Sequence, residues 1–252
     1  MNVDLFSRFG QTLTPQQKLT LDVSLPTIKQ DYRLPKVQFW GRISGLRSDY
    51  LIAEGLCENL KPLFFFSLDG LQWAELPSFY PGLAEQVLLI RDPFRGDPTY
   101  SYKIFSETIS EAVRLSIVVH QIALDTSVVP RGAYKQTVDS RIVKNKLFEG
   151  IPVDDVTKLS SFLHRSKSLP HFDPTEIAEM GLDVVIDCLE PLSNDIPTES
   201  WSINFSTHES LVIIRSLLWL GYAFFHHVED TWYGGVYFGD GVRNNDLLFM
   251  LN

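Results

Sequence analysis

Apolar and polar positions change period three times along the chain. Thr14-Pro15-Gln16-Gln17 reads as a helix start: a cap residue, proline at the first helical position, and glutamine three residues after the cap. Leu21, Leu25, Ile28 and Tyr32 follow at steps of four, three and four, which is one face of a helix. Pro26 lacks an amide donor and crowds the preceding turn, so the pattern predicts a kink or break near Leu25, with Pro35 ending the segment. From Lys36 the period falls to two. Val37, Phe39, Gly41 and Ile43 alternate with Gln38, Trp40, Arg42 and Ser44, and a turn from Gly45 to Asp49 leads into Tyr50-Leu51-Ile52-Ala53, predicting a hairpin. Leu63-Phe64-Phe65-Phe66 predicts a strand covered on both faces. Asp69-Gly70 predicts a tight hairpin turn into Leu71-Gln72-Trp73, because glycine accepts positive φ without steric cost.

After a loop marked by Asp92-Pro93 and Gly96-Asp97-Pro98, helical spacing returns. Glu111, Val113, Leu115, Val118 and Ile122 predict a helix that closes before Val128-Val129-Pro130-Arg131-Gly132. Pro152 to His164 predicts a short helix with Asp154 and Asp155 in its first turn, where the dipole favours carboxylates. Pro174 to Leu189 predicts another. The C-terminal part reverts to strands: Trp201 to Phe205, Leu211 to Leu218, Tyr222 to His227 and Trp232 to Phe238. The fold class read from this order is α+β, an antiparallel sheet from the N- and C-terminal segments with helices in the middle and an N-terminal helical extension. Residues 1–35 are expected to form the helical segment and residues 36–252 a single domain.

Composition narrows the function classes. The 252 residues are 44% hydrophobic and 21% charged, enough for a substantial core, and the net charge is −9. That balance argues against wrapping nucleic acid or coating an anionic membrane by bulk attraction. Two small basic clusters, Arg141, Lys144 and Lys146, then Arg165 and Lys167, lack the interleaved aromatics of a nucleic-acid face. Two cysteines, Cys57 and Cys188, could form one bond, but such sparse usage suits a reduced cytosolic compartment better than a disulfide framework. The first thirty residues lack a signal-peptide pattern, and the longest apolar run, Leu217 to Phe225, falls short of the roughly 20 residues of a membrane span. A soluble, intracellular protein is expected, in which Asn204-Phe205-Ser206 matches the glycosylation pattern by chance.

The familiar catalytic patterns are missing. No phosphate-binding loop occurs, and Gly239-Asp240-Gly241 lacks the third glycine of a dinucleotide loop, so a tight hairpin turn is expected there. Gly41-Arg42-Ile43-Ser44-Gly45 resembles a nucleophile elbow only loosely, with its serine one position late and a strand following. His226 and His227 are adjacent on a predicted strand and point to opposite faces, so they cannot readily share a metal; one packed and one exposed histidine is the expectation. His208 is the nearest other histidine in sequence and could approach one of them across the sheet. Glu229-Asp230 reads as a solvated turn, and Glu58 beside Cys57 raises rather than lowers its thiol pKa. No catalytic, cofactor-binding or metal residues are expected. Aromatics stand out instead, with 17 Phe, 9 Tyr and 5 Trp. Trp219, Tyr222, Phe224, Phe225, Trp232, Tyr233 and Tyr237 are hard to bury in one domain, and Leu247-Leu248-Phe249-Met250-Leu251 is an apolar end. Trp219, Trp232, Phe249, Met250 and Leu251 are therefore the candidate partner-interface residues.

A family resemblance rests on motifs in shared order. Phe39-Trp40-Gly41-Arg42-Ile43-Ser44-Gly45 and Asp49-Tyr50-Leu51-Ile52-Ala53-Glu54-Gly55 come first, then Gly96-Asp97-Pro98-Thr99-Tyr100, Val129-Pro130-Arg131-Gly132-Ala133 and Phe148-Glu149-Gly150. Lys158-Leu159-Ser160-Ser161-Phe162, Asp195-Ile196-Pro197-Thr198-Glu199-Ser200-Trp201-Ser202-Ile203, Leu217-Leu218-Trp219, Tyr237-Phe238-Gly239 and Asp246-Leu247-Leu248-Phe249-Met250-Leu251 follow. From about Thr14 to the end the chain resembles the radial spoke head protein 9 family. Leu220 departs from the family's usual Trp-Pro-Gly, Pro26 is unusual in the opening helix, and the linker from Tyr102 to Glu111 is short. The resemblance implies a non-enzymatic subunit of the radial spoke head in motile cilia and flagella, located in the axoneme. It implies larger head paralogues as partners, transient contact with the central apparatus, no cofactor, no nucleic acid and no membrane. Membership of the larger paralogue group, a cytosolic adaptor outside cilia, and an enzyme working near His226 to Asp230 are the alternatives.

Overall fold

The computed structural model describes residues 10, 12–56, 62–104, 107–137, 139, 141–169, 183, 185–229 and 231–250. Sheet dominates, as the two-residue period predicts. Eight strands form the main sheet: β1 (Lys36–Ile43), β2 (Tyr50–Leu56), β3 (Pro62–Ser67), β4 (Ala74–Glu75), β12 (Trp201–Ser206), β13 (Leu211–Ser216), β14 (Tyr222–His227) and β15 (Tyr233–Gly239). Their order is β12-β13-β14-β15-β1-β2-β3-β4, so N- and C-terminal segments build one sheet. Among the described residues the helices are α1 (Pro15–Asp31), α2 (Pro81–Val87), α3 (Glu111–Thr126) and a terminal turn, α4 (Leu247–Met250). Among the described residues no helix is long and apolar enough to cross a membrane. The chain divides into two compact units, Met1–Ile122 with Val236–Arg243, and Ala123–Gly235 with Asn244–Asn252.

In the first unit, α1 carries the predicted capping box, with Thr14 and Gln17 exchanging side-chain and backbone hydrogen bonds. The expected break at Pro26 does not occur; the helix runs through it to Asp31. Proline inside a helix costs about 3 kcal/mol, but anchors on both sides offset it. Leu21 and Ile28 are buried, each contributing about 1.5–3 kcal/mol. Between them the Ser24 hydroxyl donates to the Gly70 carbonyl at 2.8 Å and accepts from the Trp73 indole at 3.0 Å. The stop is not Pro35 either. Arg33 adopts φ 51°, and the bonds from Leu34 N to the Lys29 carbonyl and from Arg33 N to the Gln30 carbonyl close the helix four residues earlier.

The predicted β1–β2 hairpin is present and antiparallel, with a bulge between Phe39 and Gly41. β3 also forms, but its link to β4 spans residues 68–73 and is not the tight turn expected from Asp69-Gly70. The Asp69 carboxylate instead accepts from the Ser67 hydroxyl and the amides of Leu71 and Gln72, which folds residues 71–73 into the connection. β5 (Ser101–Ile104) and β6 (Glu107–Ser110) form a hairpin before α3. α3 is helical despite six β-branched residues because it is enclosed: Leu115, Ile117, Val118, Val119 and Ile122 are all buried.

Gly41 shows why one motif residue is glycine. Here β1 runs parallel to β15, Gly41 facing Tyr237, and a Cβ on Gly41 would lie 2.2 Å from the Tyr237 carbonyl oxygen. Gly41→Ala is expected to destabilise the chain by about 3 kcal/mol, since the obstacle is backbone within a sheet. Gly82→Ala, whose Cβ would meet only Tyr80 ring carbons at 3.6 Å and beyond, is expected to change stability by less than about 1 kcal/mol. Thermal unfolding of both variants checks the contrast.

The second unit holds β12–β14, a small three-stranded sheet and a hairpin of β8 (Tyr134–Gln136) and β9 (Ile142–Lys144). In the small sheet, β10 (Phe162–Ser168) pairs antiparallel with β7 (Val128–Pro130) and β11 (Leu189–Pro191). The short helix expected from Pro152 to His164 is absent. Turns cover 153–157, a single 3-10 turn Leu159–Ser161 follows, and Phe162, Leu163 and His164 pair in β10 with Pro130, Val129 and Val128. The periodic apolar residues there face a sheet, so strand pairing overrides the helical spacing. Most of the helix expected at Pro174 to Leu189 lies outside the described residues, and Leu189 opens β11. Gly239-Asp240-Gly241 is no hairpin: β15 ends at Gly239, no strand follows among the described residues, and Gly241 turns the chain at φ 73°.

Candidate functional site

The family motifs fold into internal fastenings. The carboxylate of Glu111, fully buried at the start of α3, accepts from the hydroxyls of Tyr50 (2.7 Å) and Tyr102 (2.5 Å). It also accepts from the backbone amides of Arg95, Gly96 and Asp97, at 2.9, 2.7 and 3.1 Å. Burial alone would raise its pKa, yet these donors favour the charged form and the net shift is downward. The phenol of Tyr102 is pushed up to about 12 by burial and by donating to Glu111. Arg114, one turn on, is buried with its guanidinium 4.2 Å from the Phe94 ring centroid and 4.9 Å from that of Tyr102. Gly96 takes φ 80° and sits against Ser48, whose hydroxyl donates to the Gly96 carbonyl at 2.9 Å. Residues from two motifs, Tyr50 and Gly96-Asp97, thus meet on one carboxylate. Sequence inspection missed Glu111 and Arg114. Their signal was available: they are the only charged residues of α3 before Asp125, in a run that is otherwise mostly apolar.

Two further fastenings lie in the second unit. Arg131 clamps Asp187 with two parallel hydrogen bonds, Nε to Oδ1 at 2.5 Å and a terminal nitrogen to Oδ2 at 2.6 Å. Its backbone amide donates to the Ser161 carbonyl at 2.8 Å, tying two motifs together. Asp195 receives the Trp201 indole (2.7 Å), the Lys167 ammonium (3.0 Å) and a bond with His164 Nε2 (2.8 Å). Burial opposes ionisation there, but His164, Trp201 and Lys167 outweigh it and hold the Asp195 pKa at about 2. A histidine–aspartate pair resembles half of a hydrolase triad. No serine or cysteine adjoins it among the hydrogen bonds of the described residues, and His164 has no exposed surface.

The histidines singled out from sequence separate as strand geometry requires. His226 is buried against Phe148, Phe162 and Tyr233, with ring centroids 6.0–6.4 Å away, and burial pushes its pKa down to about 4. His227 is half-buried and stacked on Trp232 at 5.8 Å. His208 sits in the 3-10 turn Thr207–Glu209. Among the described residues no group of three or more His, Cys, Asp or Glu is placed to hold a metal. Glu229 is exposed and accepts from the Ser210 hydroxyl; Asp230 lies outside the described residues. Cys188 is a free, buried thiol whose pKa burial raises, and Cys57 lies outside the described residues.

The five candidate interface residues have different fates. Trp219 has no exposed surface; its indole donates to Asp125 at 2.8 Å, and its backbone amide to the Ser216 hydroxyl. At this corner Gly221 takes φ 101° and Tyr222 N bonds the Trp219 carbonyl, so the turn closes with Leu220 at its centre. What the corner exposes is Leu220, at 54%. Trp232 is half-buried on His227, and Phe249 is 81% exposed on α4. The Met250 side chain and Leu251 lie outside what is described. Leu247 is buried, and Asn244 bonds the carbonyls of Leu217 and Leu218, so the tail is anchored just before its exposed phenylalanine.

Comparison with known proteins agrees with the family that the motifs indicate. A family model described as radial spokehead-like protein matches residues 2–62, the part that carries α1, β1 and β2. Over its whole length the chain is similar to the radial spoke head protein 9 homolog of Mus musculus, with 37% identity over 269 residues, covering 100% of this chain and 98% of that protein. The homolog from Homo sapiens gives the same identity and coverage. That of Danio rerio is 34% identical over 271 residues, covering 99% of this chain and 97% of its own length. The chain belongs to the radial spoke head protein 9 family.

Proposed function

We propose that this chain is a non-enzymatic structural subunit of the radial spoke head in the axoneme of motile cilia and flagella. In this reading it supports head assembly and carries mechanical signals between the central pair and the dynein arms. The observation that carries it is the full-length similarity to radial spoke head protein 9 homologs. The use of the buried polar groups adds support: Glu111 and the motif residues Arg131 and Asp195 spend their hydrogen-bonding capacity on the chain's own backbone and side chains. The histidine most open to a catalytic reading, His226, is enclosed by aromatic rings and held neutral at physiological pH.

The partners in this proposal are the larger head paralogues, with brief contact to the central apparatus and no role for nucleic acid or membrane. The tail is the proposed partner interface, with Phe249, Met250 and Leu251 as its apolar end and Trp232 a further contact; Trp219 acts beneath it as support. Removing residues 247–252 is expected to lower co-purification of the larger head subunits from salt-extracted axonemes. Because Leu247 is buried, Phe249→Ser serves as the second variant, altering only an exposed side chain. Undiminished recovery with both variants overturns the interface. A tagged chain diffuse in the cytoplasm and absent from axonemes overturns the function and favours an adaptor outside cilia.

A further inference from the structure

The two basic clusters visible in the sequence part company in the structure. Lys167 is paired with Asp195. The cluster on the β8–β9 hairpin is different: Lys135, Arg141, Lys144 and Lys146 form no ion pair among the described residues. Only one carboxylate, Asp139, lies within the same stretch, although the whole chain carries a net charge of −9. Arg141, Lys144 and Lys146 are exposed, Lys135 is half-buried, and Lys144 lies 5.9 Å from the Tyr233 ring centroid.

Hydrogen bonds at both ends hold this display in place. Thr137 N donates to the Arg141 carbonyl at 2.8 Å, and Arg141 N to the Thr137 hydroxyl at 3.3 Å, closing the loop end. At the other end Asn145 N donates to the Ala133 carbonyl, and its side-chain amide to the Gly132 carbonyl, at 2.8 and 2.9 Å. Gln136 N donates to the Val185 carbonyl. The Asn145 side chain also accepts from Leu147 N, and Leu147 projects beside the cations with 81% of its surface exposed. Val143, opposite Lys135 in the hairpin register, is exposed as well. In the hairpin register Lys144 lies on the face of Tyr134 and Arg141 on that of Lys135 and Val143, so both faces carry cations, and none of them is ion-paired among the described residues.

We infer that the β8–β9 hairpin is a docking surface for an acidic polypeptide segment of another protein, one that sets carboxylates against Arg141, Lys144 and Lys146 and an apolar side chain against Leu147. Charge complementarity selects an acidic ligand. The apolar residues beside the cations select a polypeptide over a phosphate backbone, and the net −9 of the chain opposes an extended polyanion or an anionic membrane. The inference rests on charge and geometry alone and does not depend on where the chain is assembled.

The test uses the full chain and fluorescence anisotropy with a short labelled peptide repeating Glu-Glu-Leu-Glu. Each exposed ion pair contributes roughly 1.5- to 5-fold. Replacing Arg141, Lys144 and Lys146 together by Gln is therefore expected to weaken binding at least about threefold, with circular dichroism unchanged. Leu147→Ser is expected to weaken it about fivefold. Replacing Lys29, Lys103 and Arg243 by Gln, the same change in net charge elsewhere, is expected to leave binding within about twofold. Absence of peptide binding by the parent chain overturns the inference, as does equal loss in both triple variants, which makes the effect one of bulk charge. Tighter binding to a single-stranded oligonucleotide or to phosphatidylserine vesicles than to the peptide overturns the polypeptide ligand. Salt-sensitive self-association of the free chain, lost in the hairpin variant, overturns it in favour of a second copy of the chain.

Discussion

Glu111→Ala is expected to lower the stability of the isolated chain by about 3–5 kcal/mol, a fall of roughly 10 °C or more in Tm for a chain of this size. The reason is the number of donors left behind. Five groups point at this carboxylate: two phenols and the consecutive amides of Arg95, Gly96 and Asp97. None of the three amides is replaced easily, because Gly96 is already committed to φ 80° against Ser48. An unsatisfied buried donor costs about 1–3 kcal/mol, and partial relaxation with water entry keeps the total below the sum. Glu111→Gln keeps the shape but turns donors toward donors, so a loss of about 2–4 kcal/mol is expected from it as well. Chemical denaturation of the three proteins decides it. Unchanged midpoints would mean that the 94–100 loop is held without Glu111.

The same carboxylate sets an acid limit. A carboxylate whose folded pKa is depressed contributes stability above its ordinary value, 4.5 for Glu111 and 3.8 for Asp195, and loses it as pH falls through the folded value. For Asp195 that loss extends down to about 2. His226 acts earlier and with the same sign: the unfolded chain takes up its proton near 6.5, whereas the folded chain resists until about 4. Stability is therefore expected to decline from pH 6.5 and more steeply below 4.5, and Glu111→Gln to flatten the steep part.

Trp219→Ala is expected to cost about 3–5 kcal/mol in the isolated chain, the range for removing a fully buried large aromatic. Trp219→Phe keeps most of the volume but loses the indole donor to Asp125, and about 1–2 kcal/mol is expected. Measuring the free chain matters because it separates support from contact. A residue of the core acts without any partner. If Trp219→Ala unfolds normally yet loses co-purification of head subunits, the side chain works at the interface instead.

Much of the architecture was legible because it follows from short-range rules. The Thr14–Gln17 capping box, the β1–β2 hairpin, α3 and the limits of β12 to β15 are set by neighbouring residues and by a hydrophobic period sampled over whole elements. The misses share a cause. Pro26 sits in an intact helix because Ser24 and Ile28 are anchored by residues distant in sequence, Gly70 and Phe65. Phe162 to His164 carry helical spacing but pair with Val128 to Pro130, more than thirty residues away. Asp69-Gly70 looked like a two-residue turn, and only the hydrogen bonds of Asp69 show a longer connection.

By itself, the sequence determined the α+β class, the extent of most strands, the acidic balance and, through motifs in shared order, the family. Tertiary structure alone decided what the motif residues do. Glu111 and the Gly96 amide are fifteen residues apart, Arg131 and Asp187 fifty-six, and Trp219 and Asp125 ninety-four. A hydrogen bond between groups so separated leaves no local pattern, because its geometry exists only after the chain has closed the intervening loop. The same holds for charge. Arg165–Lys167 and Arg141–Lys146 look alike in sequence, yet folding pairs a carboxylate with Lys167 and, among the described residues, none with the hairpin cations, so burial and pairing, not composition, decide which charges remain available to a partner.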